Sequence, residues 1–368
     1  MEQVINKLKD PVLVSKFQEY FGVKKLENVD KNSKKFIVQN KFWYYLFVLG
    51  TALGDEVFYA TFIPSWFWNV DGAVGRRVIL VWAIVMYIGQ GLKDIIKWPR
   101  PGPPVIQLQD KWSLEYGMPS THAMVSISIP FSVLLYTMDR YEYPVMVGLF
   151  IAIFWSSVVC LSRLYLGMHS ILDIIVGILL ALALMIPLVP LVDQLDHSLL
   201  TDQKSPIILL TVSILMIVYY PSGDKWTPTR GDTTMMVGVC VGAQIGAWMN
   251  YQLGQMSHPE LTPPYTIMWP SYSKLGQAVF RTALGFVTIA LTKIITKWLT
   301  YSTLCTVLRV NADNLKKSAN TLENKHKTFV DLSYKYLACL AIGFNTLYTL
   351  PIAFRYFGIE RPTFYTEI

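Results

Sequence analysis

The chain has 368 residues, 53% of them hydrophobic and 15% charged, with a mean hydropathy of +0.37 and a formal net charge of +7. A soluble globular protein carries about 25% charged residues, so the composition excludes a soluble α/β enzyme and indicates a membrane protein. The N-terminal lysines are interspersed with Phe17, Tyr20 and Phe21, a pattern that fits an anionic membrane surface and argues against a nucleic-acid partner.

Residues 1–40 read as a basic N-terminal segment, with a short amphipathic helix from Pro11 to about Phe21 and then a lysine-rich linker. The first 35 residues contain no apolar core of signal-peptide length, so the first span is expected to act as an uncleaved signal. Apolar runs then follow at Phe42–Pro64, Val78–Ile96, Ala123–Met138, Val145–Leu161, Ile171–Val192, Ile207–Tyr220, Thr233–Met249, Ala278–Ile295 and Tyr334–Phe354. A bilayer span takes roughly 20 residues of α-helix, so these runs predict an all-α, polytopic membrane bundle of about nine transmembrane helices. A tight polar turn at Asn69–Gly75 joins the first two. Length alone would suggest two or three domains, but helices almost continuous from residue 42 to 356 read as one membrane domain. Its segment 41–192 carries the chemistry, and 193–368 adds further helices. Cys160, Cys240, Cys305 and Cys339 are scattered, without metal-ligand spacing, and read as inert thiols.

The informative event is charge inside or beside a span, because Lys or Arg at mid-bilayer costs about 2.5–3.5 kcal/mol on insertion scales. At the end of the second run, Lys93, Lys97 and Arg100 stand at helical spacing, which would put them on one face. Each alone is explained by snorkelling; together they read as a cationic wall leading into a loop stiffened by Pro99, Pro101, Pro103 and Pro104. The third run opens at Pro119-Ser120-Thr121-His122. Helix capping accounts for Ser120 and Thr121, yet a helix N-terminus with added hydroxyls is also an anion site, and His122 would face that anion. In Ser162-Arg163-Leu164-Tyr165-Leu166-Gly167-Met168-His169-Ser170-Ile171-Leu172-Asp173, His169 and Asp173 are four apart, so on a helix they would share a face. A carboxylate that holds one imidazole nitrogen leaves the other free to attack. One span out and one span back place both loops on the same side of the membrane. Converged, these groups would bind a dianion and offer it a nucleophile and an acid.

Lys93-x6-Arg100-Pro101, Pro119-Ser120-x-His122 and Ser162-Arg163-x5-His169-x3-Asp173, in this order and spacing, resemble the three signature motifs of the type 2 phosphatidic acid phosphatase (PAP2) superfamily. The resemblance implies that His169 is the nucleophile, forming a phosphohistidine, that Asp173 orients it, and that His122 protonates the leaving alkoxide. Lys93, Arg100, Ser120, Thr121 and Arg163 would hold the phosphoryl oxygens, with no metal and no cofactor. Where the wider superfamily has Gly in the second motif this chain has Thr121. The string Tyr116-Gly117-Met118-Pro119-Ser120-Thr121-His122-Ala123-Met124, the third motif and Thr229-Arg230-Gly231-Asp232-Thr233 are similar to those of the sphingosine-1-phosphate phosphatases. That branch implies a lipid phosphomonoester substrate with one long chain, an endoplasmic-reticulum membrane location and a lumenal site. Aromatic residues flanking the loops, Trp98, Trp112, Tyr116 and Tyr165, would suit a ligand with its head at the interface. Glucose 6-phosphate, phosphatidate and dolichyl diphosphate phosphatases share the motifs, and a transporter of phosphorylated solutes could reuse an anion site, though it would not need both histidines and Asp173.

Overall fold

The structure, a computed structural model, describes residues 2–25, 36–109, 114–221, 223–259 and 261–368. Two short helices, α1 (Glu2–Leu8) and α2 (Pro11–Tyr20), come first. Helix α3 (Lys41–Ala52) starts where the Asn40 side chain accepts from the amides of Phe42 and Trp43. The chain then breaks and resumes as α4 (Glu56–Asn69), bent 59° away from α3. After the expected polar turn come α5 (Gly72–Ile96), α6 (Thr121–Thr137), α7 (Val145–Tyr165), α8 (Ile171–Thr201), α9 (Ser205–Val218), α10 (Thr229–Gln252) and α11 (Tyr272–Leu308). The short α12 (Ala312–Lys317) leads to α13 (Lys325–Phe344), which runs through a π-helical turn, Asn345–Thr349, into α14 (Leu350–Tyr356). Among the described residues, strand pairing is confined to Val23–Lys25 with Phe36–Val38 and Tyr141–Glu142 with Tyr265–Thr266.

The expected all-α membrane bundle is what forms. Helices α5, α7, α8, α11 and the continuous α13–α14 are each long and apolar enough to cross a bilayer, and the bent α3–α4 pair makes a sixth candidate. The remaining three apolar runs are helical too, as α6, α9 and α10. With 17 and 14 residues, α6 and α9 fall short of a full span on length, so the described helices do not reach nine by length and hydropathy. Large apolar side chains such as Phe150, Phe154, Ile186, Ile294 and Trp298 face outwards. So large an exposed apolar surface is a liability in water and the natural outer face of a bundle in lipid.

Helix α5 is the axial element. It packs against α4, α6, α8 and α10 and buries Val78, Val81, Trp82, Val85 and Met86 in the main core. The later helices are joined by close backbone approach. Gly238, Gly242 and Gly246 repeat every four residues on α10, and a Cβ at Gly242 would stand 2.0 Å from the Leu340 carbonyl oxygen of α13. Such small-residue stripes let membrane helices meet where lipid tails offer no hydrophobic drive. One end of the bundle is tied by ion pairs: Arg76 binds Asp196 through two nitrogens at 3.0 and 3.1 Å, Arg140 reaches Asp71 at 2.6 Å, and Arg361 pairs with Glu367. The other end carries the loops.

The N-terminal segment lies on those loops. Gln18 of α2 donates to the carbonyls of Ile106 (2.7 Å) and Tyr165 (2.9 Å) and accepts from the Ile106 amide (3.1 Å). Phe17 and Phe21 pack against Trp43 and Phe47. The amphipathic face read as membrane-binding is therefore partly spent on the protein itself.

Candidate active site

Helix α5 ends at Ile96 because Lys97 adopts left-handed backbone (φ 55°) and the prolines beyond cannot continue a helix. This turn corrects the expected cationic wall. Lys97 leaves the cluster and pairs with the exposed Asp224 at 2.5 Å. Lys93 stays in the last turn, buried, with Nζ donating to Glu115 Oε2 (2.7 Å) and to the Thr121 hydroxyl (3.1 Å). Arg100 folds back from the loop: its Nε donates to the Glu115 carbonyl (3.0 Å), one terminal nitrogen donates to the Met168 carbonyl (2.8 Å), and that nitrogen lies 3.4 Å from His169 Nε2. Loop closure, not helical spacing, reunites Lys93 with Arg100.

Ser120 caps α6, its hydroxyl accepting from the Ala123 amide at 3.5 Å while its own amide donates to the Asp173 carbonyl at 3.1 Å. Thr121 receives Lys93. His122 follows, with Nε2 2.9 Å from Asp55 Oδ1. Asp55 sits at the α3–α4 break, so the bend in that span delivers a carboxylate to the imidazole.

Arg163, in the last turn of α7, is fully buried; one terminal nitrogen donates to the Thr51 hydroxyl and to Gln109 Oε1 (3.1 Å). Its Nε and other terminal nitrogen have no partner among the described residues. Ser162 turns away, donating to the Val159 carbonyl at 2.6 Å. Gly167 then reverses the chain at φ 68°, in a place where a Cβ would lie 2.3 Å from the Ile106 oxygen, so glycine is required twice over. His169 comes two residues later, before α8 begins, which corrects the expectation that it shares a helix face with Asp173. The Asp173 carboxylate is engaged in a capping box with Ser170, accepting the Ser170 amide at 2.7 Å. His169 Nδ1 faces Asp173 Oδ2 at 3.8 Å, an orienting approach longer than a hydrogen bond.

All the predicted site residues thus meet at one end of the bundle. The aromatic expectation fares differently. Tyr165 is buried and stacks on Phe47 at 4.6 Å, Tyr116 lies under the Lys225 ammonium at 4.4 Å, Trp98 lies beneath Lys9 at 5.9 Å, and Trp112 is outside the described residues. Tyr165 is thus committed to the protein interior, whereas Trp98 and Tyr116 make cation contacts and keep part of their surface exposed.

Four participants escaped the sequence reading: Asp55, Glu115, Thr51 and Gln109. Asp55 and Glu56 were legible, as adjacent acids inside the apolar run 42–64, by the same rule that singled out Lys93. Glu115 carried no signal beyond its nearness to the second motif.

The electrostatics follow from burial. Burial opposes ionisation of Glu115, but Lys93 and Arg100 outweigh it and hold the carboxyl below the usual glutamate range. Burial, then Arg100, Arg163, Lys93 and His122, hold the His169 imidazole well below the usual histidine range, so it is neutral at pH 7 with a lone pair available. Three buried cations, Lys93, Arg100 and Arg163, converge here, and two nitrogens of Arg163 have no partner among the described residues. A buried unmade hydrogen bond costs about 1–3 kcal/mol, more when charged, so a ligand with several anionic oxygens satisfies this site as no neutral one can.

Residues 75–196 match the PAP2 superfamily. The chain is 39% identical over 88% of its length to sphingosine-1-phosphate phosphatase 1 of Rattus norvegicus, covering 74% of that protein. It is 37% identical to sphingosine-1-phosphate phosphatase 2 of Mus musculus, covering 98% of this chain and 100% of that one. Against sphingosine-1-phosphate phosphatase 2 of Homo sapiens it is 37% identical, with 92% of this chain and 84% of the relative covered. No solved structure matches.

Proposed function

Because the chain belongs to the PAP2 superfamily, in the family of the sphingosine-1-phosphate phosphatases, we propose that it hydrolyses sphingosine 1-phosphate and related sphingoid base 1-phosphates to the free base and phosphate. The observation that carries this is the pairing of a neutral, buried His169 with three buried cations, next to a second imidazole anchored on Asp55. Arg100, Lys93 and Arg163 hold the phosphoryl oxygens, with the Ser120 and Thr121 region of the α6 N-terminus beside them. His169 Nε2, next to Arg100, attacks phosphorus; an N–P bond forms as the ester P–O bond breaks. His122 gives a proton to the departing alkoxide oxygen. It then takes one from the water that cleaves the phosphohistidine, and inorganic phosphate leaves. Asp173 orients His169 from its Nδ1 side. The cations supply the charge neutralisation that a metal provides in other phosphoryl-transfer sites.

Phosphate release by purified protein in EDTA, on sphingosine 1-phosphate, glucose 6-phosphate and phosphatidate in parallel, tests both claims. The expected result is turnover of sphingosine 1-phosphate well above the other two and unchanged by chelation. Preference for glucose 6-phosphate would overturn the substrate, and rescue by Mg²⁺ after loss in EDTA would overturn the metal-free chemistry.

The catalytic end is assigned to the lumen of the endoplasmic reticulum. Short basic segments favour the cytosol, but Lys93, Arg100 and Arg163 are buried at the site and do not report orientation. Single cysteines at Glu323, in the loop beside the Asp94 end of α5, and at Lys204, at the opposite end, are both exposed and decide it. In sealed right-side-out microsomes an impermeant maleimide should label position 204 at once and position 323 only after permeabilisation; the reverse order would put the site in the cytosol.

A further inference from the structure

A cavity of about 300 Å³ lies outside the phosphate site, walled by α4, α5, α10, α11 and α13. Most of these walls come from the later helices, whose role the motifs leave open. Its lining is ordered by depth. On α4 the polar lining residue is Glu56, at the helix start; on α5, which runs the opposite way, it is Gln90, near the end. Asp232 stands in the first turn of α10 and Lys335 of α13 reaches it at 3.6 Å, while Lys293 enters from the middle of α11. Apart from Lys293 and Thr346, the rest of the wall is largely apolar, down to Phe67, Ile79 and Ala243. Glu56 to Phe67, or Gln90 to Ile79, is three helical turns, roughly 16 Å, close to half the roughly 30 Å hydrocarbon thickness and so to one lipid chain.

The polar end adjoins the site. Glu56 is next in sequence to Asp55, which holds His122, and Gln90 is one turn from Lys93 on the axial helix. Glu56 hydrogen-bonds Asp232, and Lys335 stands 3.6 Å from Asp232. Gln90 is 6% exposed, and its carbonyl oxygen has no partner among the described residues. A buried acceptor aimed into an apolar slot asks for a donor on the occupant. Resting on the reading above, we propose that this cavity takes the single long chain of the substrate, and that Gln90 with the Glu56–Asp232 pair reads the amino and hydroxyl groups beside its phosphate. The slot admits one chain with polar donors near its head. It thereby selects amino-alkyl phosphates over two-chain and amine-free lipid phosphates.

The test uses purified full-length protein in mixed micelles and kcat/KM for three substrates. These are sphinganine 1-phosphate, octadecyl phosphate (the same chain length without the amine and hydroxyl) and p-nitrophenyl phosphate. Wild type should prefer sphinganine 1-phosphate to octadecyl phosphate by about ten-fold or more, as expected when a site built for a donor meets an analogue lacking it. Gln90→Leu should shrink that preference to near parity. Ala60→Trp, which fills the slot from α4, should lower sphinganine 1-phosphate turnover about ten-fold relative to p-nitrophenyl phosphate. Equal wild-type rates on the two long chains, or an Ala60→Trp loss equal on long and short substrates, would overturn the assignment. A wild type that cleaves long-chain phosphates without the amine and ignores sphinganine 1-phosphate would defeat the substrate reading itself.

Discussion

His169→Ala is expected to abolish phosphate release from every phosphomonoester while leaving the bundle folded. The side chain is buried and neutral, and neither ring nitrogen anchors another element: Nε2 is 3.4 Å from Arg100 and Nδ1 has no hydrogen bond among the described residues. Its removal therefore opens a small cavity without stranding a charge, a loss of about 1–3 kcal/mol that a membrane bundle tolerates. Chemistry has no such reserve. Without the imidazole no N–P bond can form, and loss of a nucleophile in covalent catalysis costs on the order of 10⁶ in kcat. Wild type quenched during turnover of radiolabelled substrate should carry protein-bound phosphate that is acid-labile and base-stable, and the variant none. A folded His169→Ala protein with near-normal turnover, judged beside its melting curve in detergent, would rule out the phosphohistidine route.

The residue types of this site were legible because an ion in a membrane span has few reasons to be there. That rule found Lys93, Arg163 and Asp173 without any fold, and adjacency of motifs around a one-span-out, one-span-back hairpin placed their loops on one side. Two relations were misread for a common reason: helical spacing was extended past the helix ends. The left-handed turn at Lys97 and the N-cap at Ser170 both interrupt the helix within the motif, so the i,i+4 and i,i+3 arithmetic fails where the chemistry sits. Capping residues stand at such interruptions because the last turn of a helix leaves backbone groups to be satisfied. The contribution of Glu115 depends on a loop of irregular path, which periodicity does not describe. That of Asp55 depends on the 59° break in the first run, which only the adjacent Gly54, Asp55 and Glu56 mark in an otherwise apolar stretch. Lipid-facing helices such as α7 and α11 were read correctly, since their requirement is only to be long and apolar.

His122→Ala should be impaired in proportion to how poor the leaving group is. An alkoxide departing from a lipid phosphomonoester is strongly basic and must be protonated as the P–O bond breaks, and removal of a general acid typically costs about 10²–10⁴-fold. A p-nitrophenolate needs no proton. In the same variant the first step on p-nitrophenyl phosphate, read as the initial burst of p-nitrophenolate, should therefore run at close to the wild-type rate even though hydrolysis of the phosphohistidine is slowed. His169→Ala gives no burst. Asp55 acts through the imidazole, its Oδ1 at 2.9 Å from Nε2, and is a positioning residue. Asp55→Asn keeps a hydrogen-bonding oxygen but removes the charge that favours the protonated acid. Its loss should therefore follow the same leaving-group dependence at smaller size, and the pH at which the acid is lost should fall. An equal fall of that first step on both classes of ester in His122→Ala would mean that His122 holds phosphate or structure and not the leaving-group proton. The second imidazole would then join Lys93, Arg100 and Arg163 as part of the anion cradle, and the proton would have to come from water.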